Sequence, residues 1–218
     1  LSFEQGALFE PSTVALHGVL QNRFTGGGAA AILGCGTIGL FTLQWARILG
    51  ARQIVAFDVD ERRLSLARRL GADACVNTTE EGFLQTALDF TGGAGFDDVF
   101  ETAGAAPTMY MAFQLAANKA RVCFIGTPHV DLTFSPSLWE QMNRKEFTLT
   151  GSWMSYSAPF PGKEWEWTAH YFATGQLRYD PELIGARFPM SRAQEAFMLY
   201  KTPGSVSGRV LLLNDMGD

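Results

Sequence analysis

The 218-residue sequence has no apolar run long enough for a membrane-spanning helix. Its longest, residues 29–33 and 210–213, fall far short of the roughly eighteen required. No membrane partner is expected. Charge is also scarce, at 18%, and 17 Lys and Arg against 22 Asp and Glu leave a net −5 without any polybasic stretch. Nucleic acids and anionic surfaces recruit clustered cations, so neither is expected, and a small molecule or a protein is. Cysteine is rare. Cys35, Cys75 and Cys123 are odd in number and far apart, which argues against a disulfide framework and suits a reducing compartment, with the cytoplasm as the default.

Several chemical signatures are missing too. No CxxC or HExxH occurs, and His17, His129 and His170 stand alone, so no metal site is visible within the chain itself. The Gly-x-Ser-x-Gly elbow of serine hydrolases is absent. The one near match, Gly204-Ser205-Val206-Ser207-Gly208, centres on Val206 and reads as a turn before a strand. Residues 1–11 carry neither the basic stretch nor the continuous apolar core of a signal peptide. Because the first residue is Leu1 and not Met, a fragment lacking its N-terminal part is expected.

What is present is a core: 47% of residues are hydrophobic, which suits a folded domain and not a disordered chain. After a helix at 11–20, apolar strands at 29–33, 54–57, 74–76, 98–101, 121–125 and 147–150 alternate with helices at 38–49, 61–70, 80–90, 108–117 and 138–144. Strands apolar on both faces and joined through helices predict a six-stranded, doubly wound parallel sheet of the Rossmann kind. Past Gly151 the rhythm is expected to stop, leaving the loop Pro159-Phe160-Pro161-Gly162, a helix at 163–174 and a last strand at 208–213. Of the tryptophans, only Trp153 falls on the strand-end edge where open α/β sheets bind ligands.

The strongest chemical signal is Gly34-Cys35-Gly36-Thr37-Ile38-Gly39, which leaves the first buried strand and opens a helix. In that setting Gly34 makes the tight turn, Gly36 admits a pyrophosphate to the backbone, and Gly39 lets helix and strand pack closely, with the helix N–H groups and dipole facing the anion. Asp58 ends the second strand nineteen residues beyond Gly39, the spacing of an acid that accepts ribose hydroxyls, which favours NAD over NADP. Arg62 and Arg63 are near enough to complicate that preference, or they simply cover a solvated helix start. Glu10, before Pro11, reads as an acidic N-cap or first-turn residue.

With Glu101-Thr102-Ala103-Gly104 and Phe124-Ile125-Gly126-Thr127 added, the sequence resembles the medium-chain zinc-dependent dehydrogenase/reductase family over nearly its whole length. Gly6-Ala7-Leu8-Phe9-Glu10-Pro11 and Gly151-Ser152-Trp153-Met154 look most like the galactitol-1-phosphate 5-dehydrogenase branch of its sorbitol dehydrogenase-like group. The resemblance implies a GroES-like catalytic domain ahead of residue 1, with residues 1–14 as its remnant, 15–154 as the NAD-binding domain and 155–218 returning to it. Strand 208–213 would then lack partners within this chain.

The resemblance moves Glu10 toward a zinc-site role, the other ligands lying in the missing domain. It gives Asp58 and Arg63 to the adenosine ribose, Ala103 to the cofactor cleft, and Thr127, Ser152 and Trp153 to the nicotinamide border. Hydride transfer between NAD and a secondary alcohol of a polyol or polyol phosphate is implied, in a homodimer or higher homo-oligomer paired along the sixth strand. A non-catalytic dinucleotide-binding or redox-sensing module is the alternative; a zinc-independent quinone-reductase-like relative fits poorly with Glu10.

Overall fold

Five consecutive buried residues make β1 (Ala29–Leu33), and their alternation feeds both sides of the sheet. Ala30 and Ile32 enter one apolar cluster while Ala29, Ala31 and Leu33 enter the other, as the two-residue period of a strand requires. Around β1 stand β2 (Gln53–Asp58), β3 (Ala74–Asn77), β4 (Phe96–Glu101), β5 (Ala116–Phe124) and β6 (Thr148–Gly151). The order is β3-β2-β1-β4-β5-β6, with every pairing parallel. This computed structural model describes residues 2–157, 159–160, 162–202 and 204–214. Leu1, part of the expected loop at 159–162 and the last residues of the 155–218 segment lie outside the described residues.

Two short helices open the chain: α1 (Phe3–Ala7), closed by a reciprocal Ser2–Gln5 capping box, and α2 (Phe9–Gln21). The second begins two residues before the expected start. Pro11 sits in its first turn, where a backbone N–H has no helical partner to lose. Helix α3 (Thr37–Ile48) packs on α2 through Trp45, whose indole Nε1–H donates to the Ser12 carbonyl at 3.0 Å. Next come α4 (Glu61–Leu70), α5 (Phe83–Asp89), α6 (Ala106–Leu115) and α7 (Pro136–Lys145). Helix α5 is shorter than its apolar pattern predicts because Gly82, at φ +74°, starts it late. Helix α6 likewise stops before Ala116 and Ala117, which open β5.

The tail departs from expectation. After α8 (Met154–Ser157) and α9 (Lys163–Ala173), β7 (Ile184–Pro189), α10 (Ala193–Leu199) and β8 (Arg209–Leu213) form a small βαβ unit with β7 and β8 parallel. The βα rhythm therefore resumes, and the last strand does have a partner. Gly185 and Pro189 within β7, together with its half-exposed faces, hide the strand from a pattern of apolar alternation.

At the edge opposite the glycine turn, Asp98 is fully buried. It accepts from Arg121 Nε and Nη2 at 2.8 and 2.7 Å and from Asn22 Nδ2 at 2.9 Å, tying β4 to β5 and to the end of α2. Burial pushes its carboxyl above the usual range, against the pull of Arg121. Arg121→Met is expected to lower the unfolding free energy by about 3 kcal/mol at pH 7, since it strands a buried charge. The loss should shrink at pH 4 as Asp98 protonates. Urea denaturation at the two pH values checks both points.

Candidate functional site

The strand order reverses between β1 and β4, and the carboxyl ends of β1, β2, β4, β5 and β6 share one edge of the sheet. Ligands in open α/β sheets bind at such a switch point. The glycine turn lies on it. Gly34, at φ +96°, donates its N–H to the Phe57 carbonyl at 2.8 Å. A Cβ on Gly39 would stand 1.9 Å from the Gly34 carbonyl oxygen, whereas one on Gly36 would meet nothing within 4 Å. The turn is thus closed toward the protein at Gly39 and open toward solvent at Gly36. Helix α3 begins there without a side-chain cap, so its first N–H groups, from Thr37 and Ile38 onward, are available to an anion.

Asp58 is buried at the end of β2, and its carboxylate is already engaged. Oδ2 accepts from Cys35 N at 2.7 Å, and Oδ1 accepts from Val59 N and Asp60 N at 2.8 and 3.0 Å. A carboxylate has about four acceptor positions, so room for a ligand hydroxyl remains while the turn stays clamped. Arg63 Nη1 lies 3.9 Å from Asp58 Oδ2, but its hydrogen bonds go elsewhere: Nε donates to Ser207 Oγ at 3.3 Å and Nη2 to the Val206 carbonyl at 3.5 Å. Arg63 therefore joins the Asp58 corner to the tail, a link that spacing could not show. Gly34, Asp58, Arg63, Thr78, Ala103 and Thr108 line a pocket of about 150 Å³; the two threonines escaped sequence reasoning.

A second, larger pocket of about 490 Å³ lies along the ends of β5 and β6. Thr127, Ser152 and Trp153 line it, with Ile125, Tyr156 and, from α2, Gln21. Gln21 was not anticipated. Behind it, His17 is a buried structural histidine, its Nδ1 2.7 Å from Glu164 Oε1.

Glu101, fully buried at the end of β4, organises the loop that carries Ala103. Its Oε1 accepts from Ala103 N, Gly104 N and Thr108 Oγ1 at 3.0, 2.9 and 2.7 Å, while Oε2 has no protein partner. Burial raises its pKa despite these donors. The cysteines offer no reactive thiolate: burial pushes Cys35 well above its ordinary value and Cys123 up to about 12.

Glu10 lies in the first turn of α2, and its Oε2 is 3.8 Å from Arg209 Nη2 on β8. Among the described residues no group of three or more His, Cys, Asp or Glu is placed to hold a metal ion. The residues around Glu10 therefore do not make a zinc site by themselves.

The sequence profile of the zinc-binding dehydrogenases matches residues 37–170. This chain belongs to that family. Galactitol 1-phosphate 5-dehydrogenase of Escherichia coli (strain K12) is 34% identical over 213 residues, covering 98% of this chain and 61% of the relative. The chain thus spans about three fifths of that relative's length. The crystal structure of galactitol-1-phosphate dehydrogenase from Escherichia coli superposes with a TM-score of 0.85 at 33% identity, over 97% of this chain and 61% of the other. A zinc-binding dehydrogenase from Sinorhizobium meliloti 1021, bound to NADP, gives 0.78 at 27% identity, over 96% and 59%. The doubly wound fold and the oxidoreductase family inferred from sequence both stand.

A carboxyl whose folded pKa is raised binds more protons in the native state than in the unfolded one. Its contribution to stability therefore falls as pH rises from the unfolded value, about 4.3, through the folded one. Glu101→Gln removes that titration. The stability of the native chain relative to Glu101→Gln should decline from pH 4 to pH 7; parallel denaturation curves across that range would contradict the assignment.

Proposed function

We propose that the chain is the NAD-binding portion of a zinc-type dehydrogenase acting on a secondary alcohol of a polyol or polyol phosphate. The observation that carries this reading is the conjunction at the switch point. An open glycine turn with uncapped helix N–H groups stands beside a buried carboxylate at the end of β2, with a pocket on either side. The pyrophosphate would lie on the first turn of α3, against Gly36, Thr37 and Ile38. The adenosine ribose would sit in the smaller pocket by Gly34, Asp58 and Ala103, and the nicotinamide in the larger one by Thr127, Ser152 and Trp153. When bound, the nicotinamide supplies the hydride chemistry. This chain's residues bind and orient it, and the apolar surfaces of Ile125 and Trp153 keep water from the ring.

The substrate class is supported by the likeness to galactitol 1-phosphate 5-dehydrogenase. Glu10 is assigned to the zinc side of the cleft. One carboxylate does not hold zinc, which takes three or four protein ligands, so further ligands would have to come from outside this sequence. No step is derived through the metal.

NAD is preferred to NADP in this reading because Asp58 would face a 2′-phosphate with like charge. NADH should bind at least about tenfold more tightly than NADPH, the effect of about 1.4 kcal/mol of repulsion. Asp58→Asn, which keeps an acceptor for Cys35 N but not the charge, should narrow the gap. Asp58→Ala should weaken NADH further by loosening the turn. Fluorescence titration decides it, and equal or tighter NADPH binding would sink the NAD assignment.

The second proposal is a homodimer. Among the described residues strand β6 pairs only with β5, and Thr148, Leu149 and Thr150 leave its outer edge without proline or charge to block another strand. Sedimentation velocity at micromolar concentration should show a dimer; a monomer that does not associate as concentration rises would refute it.

A further inference from the structure

Glu164 stands in the first turn of α9 with only 6% of its surface exposed, against the wall of α2. Its Oε1 lies 2.7 Å from Nδ1 of His17, itself 3% exposed. One helical turn further along α2, Gln21 Nε2 lies 3.3 Å from His17 Nε2, and Gln21 lines the larger pocket. A neighbouring contact, Ser12 Oγ to Thr168 Oγ1 at 3.4 Å, fixes the same two helices together.

With the histidine ring neutral, the chemistry of the three groups has one direction. An ionised carboxylate only accepts, so the ring proton facing it is on Nδ1. In the neutral ring Nε2 is then an acceptor, which the Gln21 amide N–H at 3.3 Å can meet. The order is Gln21 N–H to His17 Nε2, then His17 Nδ1–H to Glu164. Each member fixes the next, as in other buried networks in which one polar group sets another's tautomer or rotamer. The amide of Gln21 is thereby linked, through the ring, to a carboxylate that arrives from the tail, 147 positions further along the chain than the histidine.

We infer that His17 and Glu164 are positioning residues, and that the Gln21 amide they orient is a specificity-determining group for the carboxamide end of a nicotinamide nucleotide. The wall around it is apolar at Ile125, Pro128 and Trp153 and polar at Gln21, Thr127 and Ser152. That pattern fits a flat aromatic ring bearing one amide. The inference rests on the nucleotide reading above and deepens it at its nicotinamide end.

The test compares calorimetric binding of NADH, reduced nicotinamide mononucleotide and ADP-ribose to the whole chain and its variants. Gln21→Leu should weaken NADH and the mononucleotide about tenfold, the cost of one lost buried hydrogen bond, and leave ADP-ribose within twofold. Glu164→Leu should do the same, whereas Glu164→Gln, which still offers an acceptor to Nδ1–H, should restore most of the affinity. If Glu164→Leu does not fold, Gln21→Leu carries the test alone, since its side chain is only half-buried. An unchanged NADH affinity in Gln21→Leu, or an equal loss for NADH and ADP-ribose, would overturn the inference while leaving the nucleotide reading intact. A native chain that binds none of the three ligands would overturn that reading itself, and this inference with it.

Discussion

Helix α3 can approach β1 only because Gly39 has no side chain: a Cβ there would stand 1.9 Å from the Gly34 carbonyl oxygen. Much of the candidate site depends on that approach. It brings the first turn of α3 beside the end of β2, where Asp58 takes the Cys35 N–H. It also lets Thr102 Oγ1 reach the carbonyls of Leu33 and Gly34, each at 3.0 Å, so that the end of β4 is tied to the same turn. A side chain at residue 39 would move the helix, its uncapped N–H groups and the switch point together. The glycine is a constraint on distance, not on dihedral angle, because its φ lies outside the left-handed region that Gly34 occupies.

Strand β4 shows how buried acids serve two different ends. Asp98, near its start, is matched by a bidentate Arg121 and holds two strands and a helix end together. Glu101, at its other end, pairs with no cation among the described residues but gathers N–H and O–H donors from the loop that follows. Burial raises both pKa values. The first arrangement spends its carboxylate on joining elements, the second on shaping a loop next to the pocket that Ala103 and Thr108 line. Gly104, at φ +66°, and Gly126 let that loop fold back over the acid, since a Cβ at Gly126 would stand 2.6 Å from Glu101 Oε2.

These differences explain what could be read from the sequence. Both-face burial and period-two alternation fix the main sheet, so its six strands were legible, as was the glycine turn, whose residues are contiguous. Boundaries moved where local chemistry competes with apolar pattern: at Gly82 before α5, and at Ala116 and Ala117, which suit a helix by composition but open β5, where Ala116 pairs with Phe96 of β4. The tail's β7 was missed because its half-buried residues do not alternate cleanly. Gln21, His17, Thr78 and Thr108 were missed for a different reason. Their roles arise from partners or pocket walls assembled from distant segments, and Gln21 sits in no patterned motif.

The tail is accordingly part of the site's construction. From its several elements Arg63 receives Val206 and Ser207, His17 receives Glu164, and Glu10 faces Arg209. Glu4 in α1 is held by Tyr179 and, at 2.5 Å, by Arg187, which holds the carboxyl below its usual range. Each contact joins a residue of the tail to one at or ahead of the cofactor edge. The Asp58 corner is braced through Arg63, the larger pocket through His17, and the entry helices through Glu4 and Glu10. Because the braces converge on one small βαβ unit and α9, a displacement of the tail would be felt at both ends of the cleft at once. The glycine turn, held by β1, α3 and Asp58, needs no such brace, which is why it could be read without the tail.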